Sequence, residues 1–317
     1  MDRRRFLKSS VRALGTGLLL PTARALGADP LPPGAVPVDT GAGLADLPDL
    51  VLAKDAPKAA VHRAIQALGG IGRFVQPGQV VVVKPNASFE TPPDWGATTH
   101  PEVIAGVLEA CFEAGARRVL IVDHTMKLAQ RCFKRSGIAD AVAGFPKAKL
   151  VSLDKEKVYR ELQVPAGKAL HVVQVPALMQ KADVFINVPT AKAHSATRVS
   201  LGLKNLMGLV WDRHRFHHDM DLHQAIADLA TVLKPQLTVI DAMRILKTGG
   251  PSGPGAVDPF GGVIAGVDPV AVDAFGVGLS TWNGQTCRAD QINYIRYAAE
   301  HGLGTSKPEA LRVLELN

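Results

Sequence analysis

The sequence predicts an α/β fold: a mainly parallel β-sheet flanked by helices in a layered αβα arrangement, with a small irregular or β-hairpin insertion. Three observations predict it. Short, nearly all-apolar runs recur without polar alternation, the pattern of strands buried on both faces. Each run is followed by helical sequence, and strands alternating with helices argue for parallel pairing. A composition of 47% hydrophobic, 21% charged and 5% aromatic residues is globular, and excludes disordered, collagen-like, coiled-coil and polytopic membrane chains.

Residues 1–28 read as a twin-arginine signal peptide. Arg3-Arg4-Arg5-Phe6-Leu7-Lys8 carries the paired arginines and the Phe-Leu-Lys that follows them. An apolar stretch from Ala13 to Leu20 ends at Pro21, and Ala23-Arg24-Ala25 and Leu26-Gly27-Ala28 offer small residues for cleavage. The stretch is too short to span a bilayer, so no membrane span is expected in the mature chain. The expected location is periplasmic, or exported by the twin-arginine pathway, with that export machinery as a partner. Because this route carries folded cargo, it adds weight to a cofactor. Residues 29–50, with Pro30, Pro32, Pro33 and Pro37, read as a linker, and the α/β domain is expected over 51–317.

The leader also explains the charge. It holds six of the chain's 36 basic residues and, with Asp2, one of its 29 acidic ones, leaving 30 against 28. The whole chain's +7 thus falls to +2, which is no footprint for a nucleic-acid partner. Cys111, Cys132 and Cys287 are widely spaced without a Cys-x-x-Cys pair, so no iron–sulfur cluster or zinc ribbon is expected.

Strands are predicted at Val80–Val83, Val119–Val122, Val184–Val188, Leu237–Asp241 and Val263–Ala265. Pro101–Ala114 places Val103, Val107, Ala110 and Ala114 on one helical face, and a helix is expected near Lys127–Ser136. The stretch Leu150–Val175 is the expected insertion. Asp268-Pro269 reads as the N-cap and first residue of a helix over Val270–Leu279. Asp221 reads as the cap of a helix carrying Leu222, Ala225, Ile226, Leu229 and Leu233. Thr197–Val210 has helical spacing too. Its apolar stripe is Val199, Leu203, Leu206 and Val210; the opposite stripe, Thr197, Ser200, Lys204 and Gly208, is either a solvated face or a face presenting Lys204 to an anion.

In open α/β sheets, ligands bind beyond the carboxyl ends of the strands. The residues closing the apolar runs are therefore the candidates. They are Lys84 and Asn86, Asp123, then Lys192 and His194 beyond Asn187, and Asp241. Some are expected only because strands emerge into water, but a lysine directly after a buried run needs a partner or a ligand. Asp273 lies within an apolar helix, where a carboxylate is harder to place. The loop from Gly249 to Gly255, with Gly250 in it, permits close backbone approach but lacks phosphate-loop spacing. His214, His217, His218 and His223 with Asp219 and Asp221 have the composition of a metal site, with His217 and His218 the candidate ligands, though the spacing matches no defined metal motif.

Four blocks, VVVKPNASF, GATTHPEVIAGVLEACFEAGARRVLIVD, FINVPTAKAHSATRVSLGLKNLMGLV and GGPSGPGAVDPFGGVIAGVDPVAVDAFG, resemble in order those of the domain-of-unknown-function family 362. The resemblance runs from about Leu52 to Gly304. It maps the family pattern onto Lys84, Pro85, Asn86, Thr99, His100, Asp123, Lys192, His194, Lys204, Asn205, His217 or His218, Asp241, Gly250, Pro251, Asp268 and Asp273. Many family members carry an added cysteine-rich ferredoxin-like segment; this chain has none, so their iron–sulfur binding is not implied for it.

The leading expectation is an exported α/β protein, an enzyme, that binds a small anionic ligand or cofactor. Lys84, Lys192 and Lys204 would supply charge, and Asn86 and Asn205 orienting hydrogen bonds. Thr99, Asp123, Asp241, Gly250 and Asp273 complete the ligand site, and His100, His194 and Lys204 are the catalytic candidates. Two rivals remain: a metal-dependent periplasmic redox or accessory protein with a redox partner, and a non-catalytic solute-binding protein.

Overall fold

The computed structural model describes residues 47–317. The expected signal peptide at 1–28, and the expected linker as far as residue 46, lie outside the described residues.

The chain runs β1 (Leu50–Lys54), α1 (Pro57–Ala67), β2 (Val80–Pro85), α2 (Pro101–Glu113), β3 (Arg118–Asp123), α3 (Ala129–Arg135), α4 (Ile138–Ala143) and β4 (Ala148–Ser152). A hairpin of β5 (Tyr159–Gln163) and β6 (Val172–Pro176) follows, then β7 (Val184–Val188), β8 (Thr190–His194) and β9 (Arg198–Ser200). Next come α5 (Gly202–Asn205), α6 (His214–His218), α7 (Leu222–Val232), β10 (Leu237–Leu246) and β11 (Val257–Asp258). The described chain closes with β12 (Gly262–Gly266), α8 (Pro269–Val277), α9 (Asn293–Glu300) and β13 (Val313–Leu316).

The main sheet has the order β13-β1-β12-β10-β7-β2-β3-β4. Pairing is parallel from β10 through β4 and between β1 and β13; β12 runs antiparallel to both neighbours, β1 and β10. The fold is therefore α/β with a mixed, mostly parallel sheet. Val81 and Val83 face one apolar cluster with α1, α2 and α4, while Val82 faces another with α5, α7, α8 and α9. All three valines are fully buried, worth about 1.5–3 kcal/mol each in removed apolar surface. That two-sided burial is why the run shows no alternation. Among the described residues, no helix is long and apolar enough to cross a membrane.

Two features shape the site. Pro189 has no N–H to donate and separates β7 from β8, yet both strands pair parallel with the long β10. β8 thereby carries Lys192 and His194 past the ends of β2 and β3. The hairpin is the expected insertion, although β4, within the same stretch, belongs to the main sheet. Asp228 of α7 anchors the hairpin's turn by accepting the amides of Lys168, Ala169 and Leu170 at 2.7–2.9 Å, and it also contacts His301 at 2.7 Å.

The helix expected over Thr197–Val210 is a correction. The segment is β9, paired with β8, then the single turn α5 and a short 3-10 turn over Leu206–Leu209. Both expected stripes are buried: Ser200 and Lys204 are buried, and Val199 and Leu203 fully so.

Candidate functional site

The floor of the site forms where β2 and β3 end side by side. Lys84 Nζ donates to Asp123 Oδ1 at 2.9 Å, to the Pro85 carbonyl at 2.8 Å and to Asn205 Oδ1 at 3.2 Å. Asp123 Oδ2 accepts the Ala87 amide at 2.7 Å and the Ser88 hydroxyl at 3.3 Å. Neither Lys84 nor Asp123 is solvent-exposed. Burial pulls Lys84 down from the usual lysine range and the Asp123 carboxylate pulls it back. Asn205 ties the floor together: its Nδ2 donates to Asn187 Oδ1 at 2.9 Å, and its Oδ1 accepts from Asn86 Nδ2 at 3.3 Å. A side chain at Gly208 would run into Asp123 Oδ1 and Lys84 Nζ, so the close approach of this backbone requires glycine.

Above the floor lies a cleft of about 610 Å³, lined by Asn86, Lys192, His194, Lys204, Asn205 and Arg213 on its polar side. Lys192 Nζ donates to the Ala97 carbonyl at 2.5 Å and to Asn86 Oδ1 at 3.2 Å, and lies 4.8 Å from the centre of the Phe89 ring. Among the described residues Lys204 has no hydrogen-bond acceptor and no carboxylate within 4 Å. Burial first, then neighbouring positive charge, brings both lysines down to about 7: Lys204 presses on Lys192, and Arg213 and Lys84 press on Lys204. The one acidic residue on the lining, Asp212, turns its Oδ1 to the amides of His214 and Arg215 at 3.2 and 3.4 Å. Among the described residues, the cleft is cationic and no carboxylate pairs with Lys192 or Lys204.

His194 is fixed in one tautomer. Its Nδ1 accepts the Ala196 amide at 3.1 Å, which leaves the neutral ring's proton on Nε2. Burial and the charges of Lys204 and Lys192 push its pKa far below the usual histidine value, so the ring stays uncharged. It is an N–H donor on the cleft wall.

The lining also has an apolar part, with Phe89, Met126, Met207 and Trp211. Trp211 stacks on His124 with ring centres 5.3 Å apart, and its amide donates to the Gln174 carbonyl of β6 at 3.1 Å. His124 is held in turn, its Nδ1 donating to the Val210 carbonyl at 2.9 Å. The hairpin thus braces this wall.

The sequence candidates divide into two groups. Lys192, His194, Lys204, Asn86, Asn205, His217 and His218 all line the cleft, with Pro251 beside Gly250. Thr99, His100, Asp241 and Asp273 do not; they hold the loops in place. Thr99 Oγ1 accepts the Asn86 amide and donates to the Val188 carbonyl. His100 caps α2 through Nδ1, and burial lowers its pKa to about 4. Asp241 accepts the amides of His100 and Met243 at 2.7 and 2.9 Å, and burial raises its pKa. Asp273 accepts the amides of Gly202 and Leu203 at 2.7 and 2.9 Å, which fixes the turn that carries Lys204. Burial raises it to about 7. Gly250 packs directly against the Ala193 carbonyl, leaving no room for a side chain.

Asp268 and Asp221 cap α8 and α7 as expected, and Gln224 Nε2 donates to Asp228 Oδ1 at 2.8 Å. At the rim, His218 stacks on His214 with ring centres 4.0 Å apart. Among the described residues no three His, Cys, Asp or Glu side chains group as a metal site, and the three cysteines are free and buried. Sequence reasoning missed Arg213 and the apolar wall. Arg213 sits in a run of charged residues and histidines whose exposed members look the same in sequence.

Comparison with known proteins places this geometry in context. The family described as Domain of unknown function (DUF362) matches residues 81–278, a span that includes every polar residue named above as lining the cleft. The thylakoid-associated protein sll1697 of Synechocystis is 24% identical over 200 residues, which cover 61% of this chain and 60% of that protein. The chain therefore spans less than two thirds of that relative's length. Among solved structures, the lactate racemase apoprotein from Thermoanaerobacterium thermosaccharolyticum is 13% identical with a TM-score of 0.41, over 61% of this chain and 51% of that one. A Thermotoga maritima protein is also 13% identical, with a TM-score of 0.37 over 63% of this chain and 53% of that one.

Proposed function

The chain belongs to the DUF362 family, and from the cleft's own residues we propose that it binds a small anionic ligand and that it is an enzyme in which Lys204 moves a proton. The observation that carries this reading is the inequality of three neighbouring lysines. Lys84 is matched by Asp123, whereas Lys192 and Lys204 line the cleft with no carboxylate opposite either. A buried cation without a counter-ion is costly, and an anionic ligand would remove the cost.

Each residue then has a role. Lys192 and Arg213 hold the anion, and Asn86 fixes the Lys192 ammonium. Lys204, titrating near working pH, exists in part as a neutral amine able to accept a proton. His194 cannot take a proton through Nδ1, because that lone pair is engaged; it donates from Nε2 to an oxygen that gains charge. His100 caps α2 instead of reacting. Residues 1–28 would direct the folded protein through the twin-arginine pathway.

The test is calorimetric titration with oxalate, a small dianion without a reactive carbonyl. Saturable binding that weakens about ten- to hundredfold in Lys204→Met is expected. No binding, or equal binding by the variant, would overturn the reading. The rival solute-binding role shares the cleft and differs by the absence of turnover. The metal reading rests on His217 and His218, which lack a third ligand among the described residues.

A further inference from the structure

Resting on that reading, we propose that Lys204 forms a reversible imine with a carbonyl-bearing anion of the α-oxo carboxylate class. Three features of geometry point to it. Lys204 is about nine-tenths buried and lines the cleft. Lys84 and Lys192 donate to three and two acceptors at 2.5–3.2 Å, whereas Lys204 has none among the described residues, so no fixed acceptor ties its amine down. The cleft also supplies two kinds of polar group: cations for a carboxylate, from Lys192 and Arg213, and a neutral N–H, His194 Nε2, for a carbonyl oxygen. Asp273 holds the turn bearing Lys204, so the amine is presented by a fixed backbone. The lowered pKa of Lys204 adds support, since imine formation needs the free amine.

The chemistry balances without a further reactant. The Lys204 Nζ lone pair adds to the carbonyl carbon, and one N–H proton passes to the former carbonyl oxygen, which His194 stabilises as it gains charge. The carbinolamine then expels that oxygen as water, together with the second N–H proton. A C=N bond has replaced C=O, and hydrolysis by one water reverses it.

The experiment treats the full chain with glyoxylate and sodium borohydride, then maps the modified peptides by mass spectrometry. The expected product is one carboxymethyl group per chain, on Lys204, suppressed by excess oxalate and missing from Lys204→Arg. Label spread over exposed lysines, or placed on Lys192, overturns the proposal. The wild-type map alone decides it, whatever the variant's stability. Oxalate binding without label overturns the imine and leaves the anion cleft standing; neither binding nor label overturns both.

Discussion

The floor and the wall of the cleft use the same residue type to opposite ends. On the floor, Lys84 has a carboxylate, a carbonyl and an amide oxygen around its ammonium, and its partner Asp123 is equally satisfied. On the wall, Lys192 is held by neutral acceptors alone and Lys204 by nothing among the described residues. A charge surrounded by fixed acceptors belongs to the fold, while a buried charge left unmatched belongs to something that comes and goes. Burial alone separates them only in part, since Lys84 and Lys192 are enclosed and Lys204 is about nine-tenths buried with its ammonium on the cleft; partners complete the distinction.

Breaking the floor should have the largest effect. Asp123→Ala leaves Lys84 buried without a counter-ion and should lower stability by about 3–5 kcal/mol, read as a shift in the urea midpoint. A loss below about 1 kcal/mol would show that the pair behaves like an exposed one. Gly208→Ala inserts a methyl group into the same pair and should cost about 1–3 kcal/mol. The wall should answer differently. Lys204→Met removes a largely buried, unmatched cation, so its melting temperature should equal or exceed that of the wild type, even as oxalate binding weakens.

The contrast also shows in pH dependence. An unfolded lysine titrates near 10.5, whereas Lys192 and Lys204 in the folded chain titrate near 7. Between those values the unfolded chain binds more protons, so these two groups make stability rise as pH rises. Below pH ~7 both states are protonated and the contribution is flat. Denaturation across this window should show the rise in the wild type and a smaller one in Lys204→Met; identical slopes would mean that Lys204 titrates normally.

Much of the fold and of the site's membership was legible in the sequence, and the limits have physical causes. Val80–Val83 and Val119–Val122 read correctly because two-sided burial removes alternation, and the residues closing them, Lys84 and Asp123, are the floor pair. Asp241 also closes an apolar run, but β10 continues to Leu246, so Asp241 lies within a strand and braces the His100 loop. The Thr197–Val210 stretch misled because apolar residues three and four apart fit a helix equally well. Pairing of β9 with β8 settled its conformation, and burial of both stripes hid the usual sign of a solvent face. No local pattern could tell that Lys84 meets Asp123 while Lys204 meets nothing. That difference arises only when β2, β3 and α5 converge.

The most direct test of the account is the proton balance of anion binding. Calorimetry of oxalate binding at about pH 8, above the folded value of both wall lysines, should be run in two buffers of different ionisation enthalpy. If Lys192 and Lys204 are the partly neutral groups that meet the anion, binding will take up protons, and the uptake will shrink in Lys204→Met. Binding with no proton exchange, or with equal exchange in the variant, would contradict the claim that the unmatched lysines of the wall form the anion site.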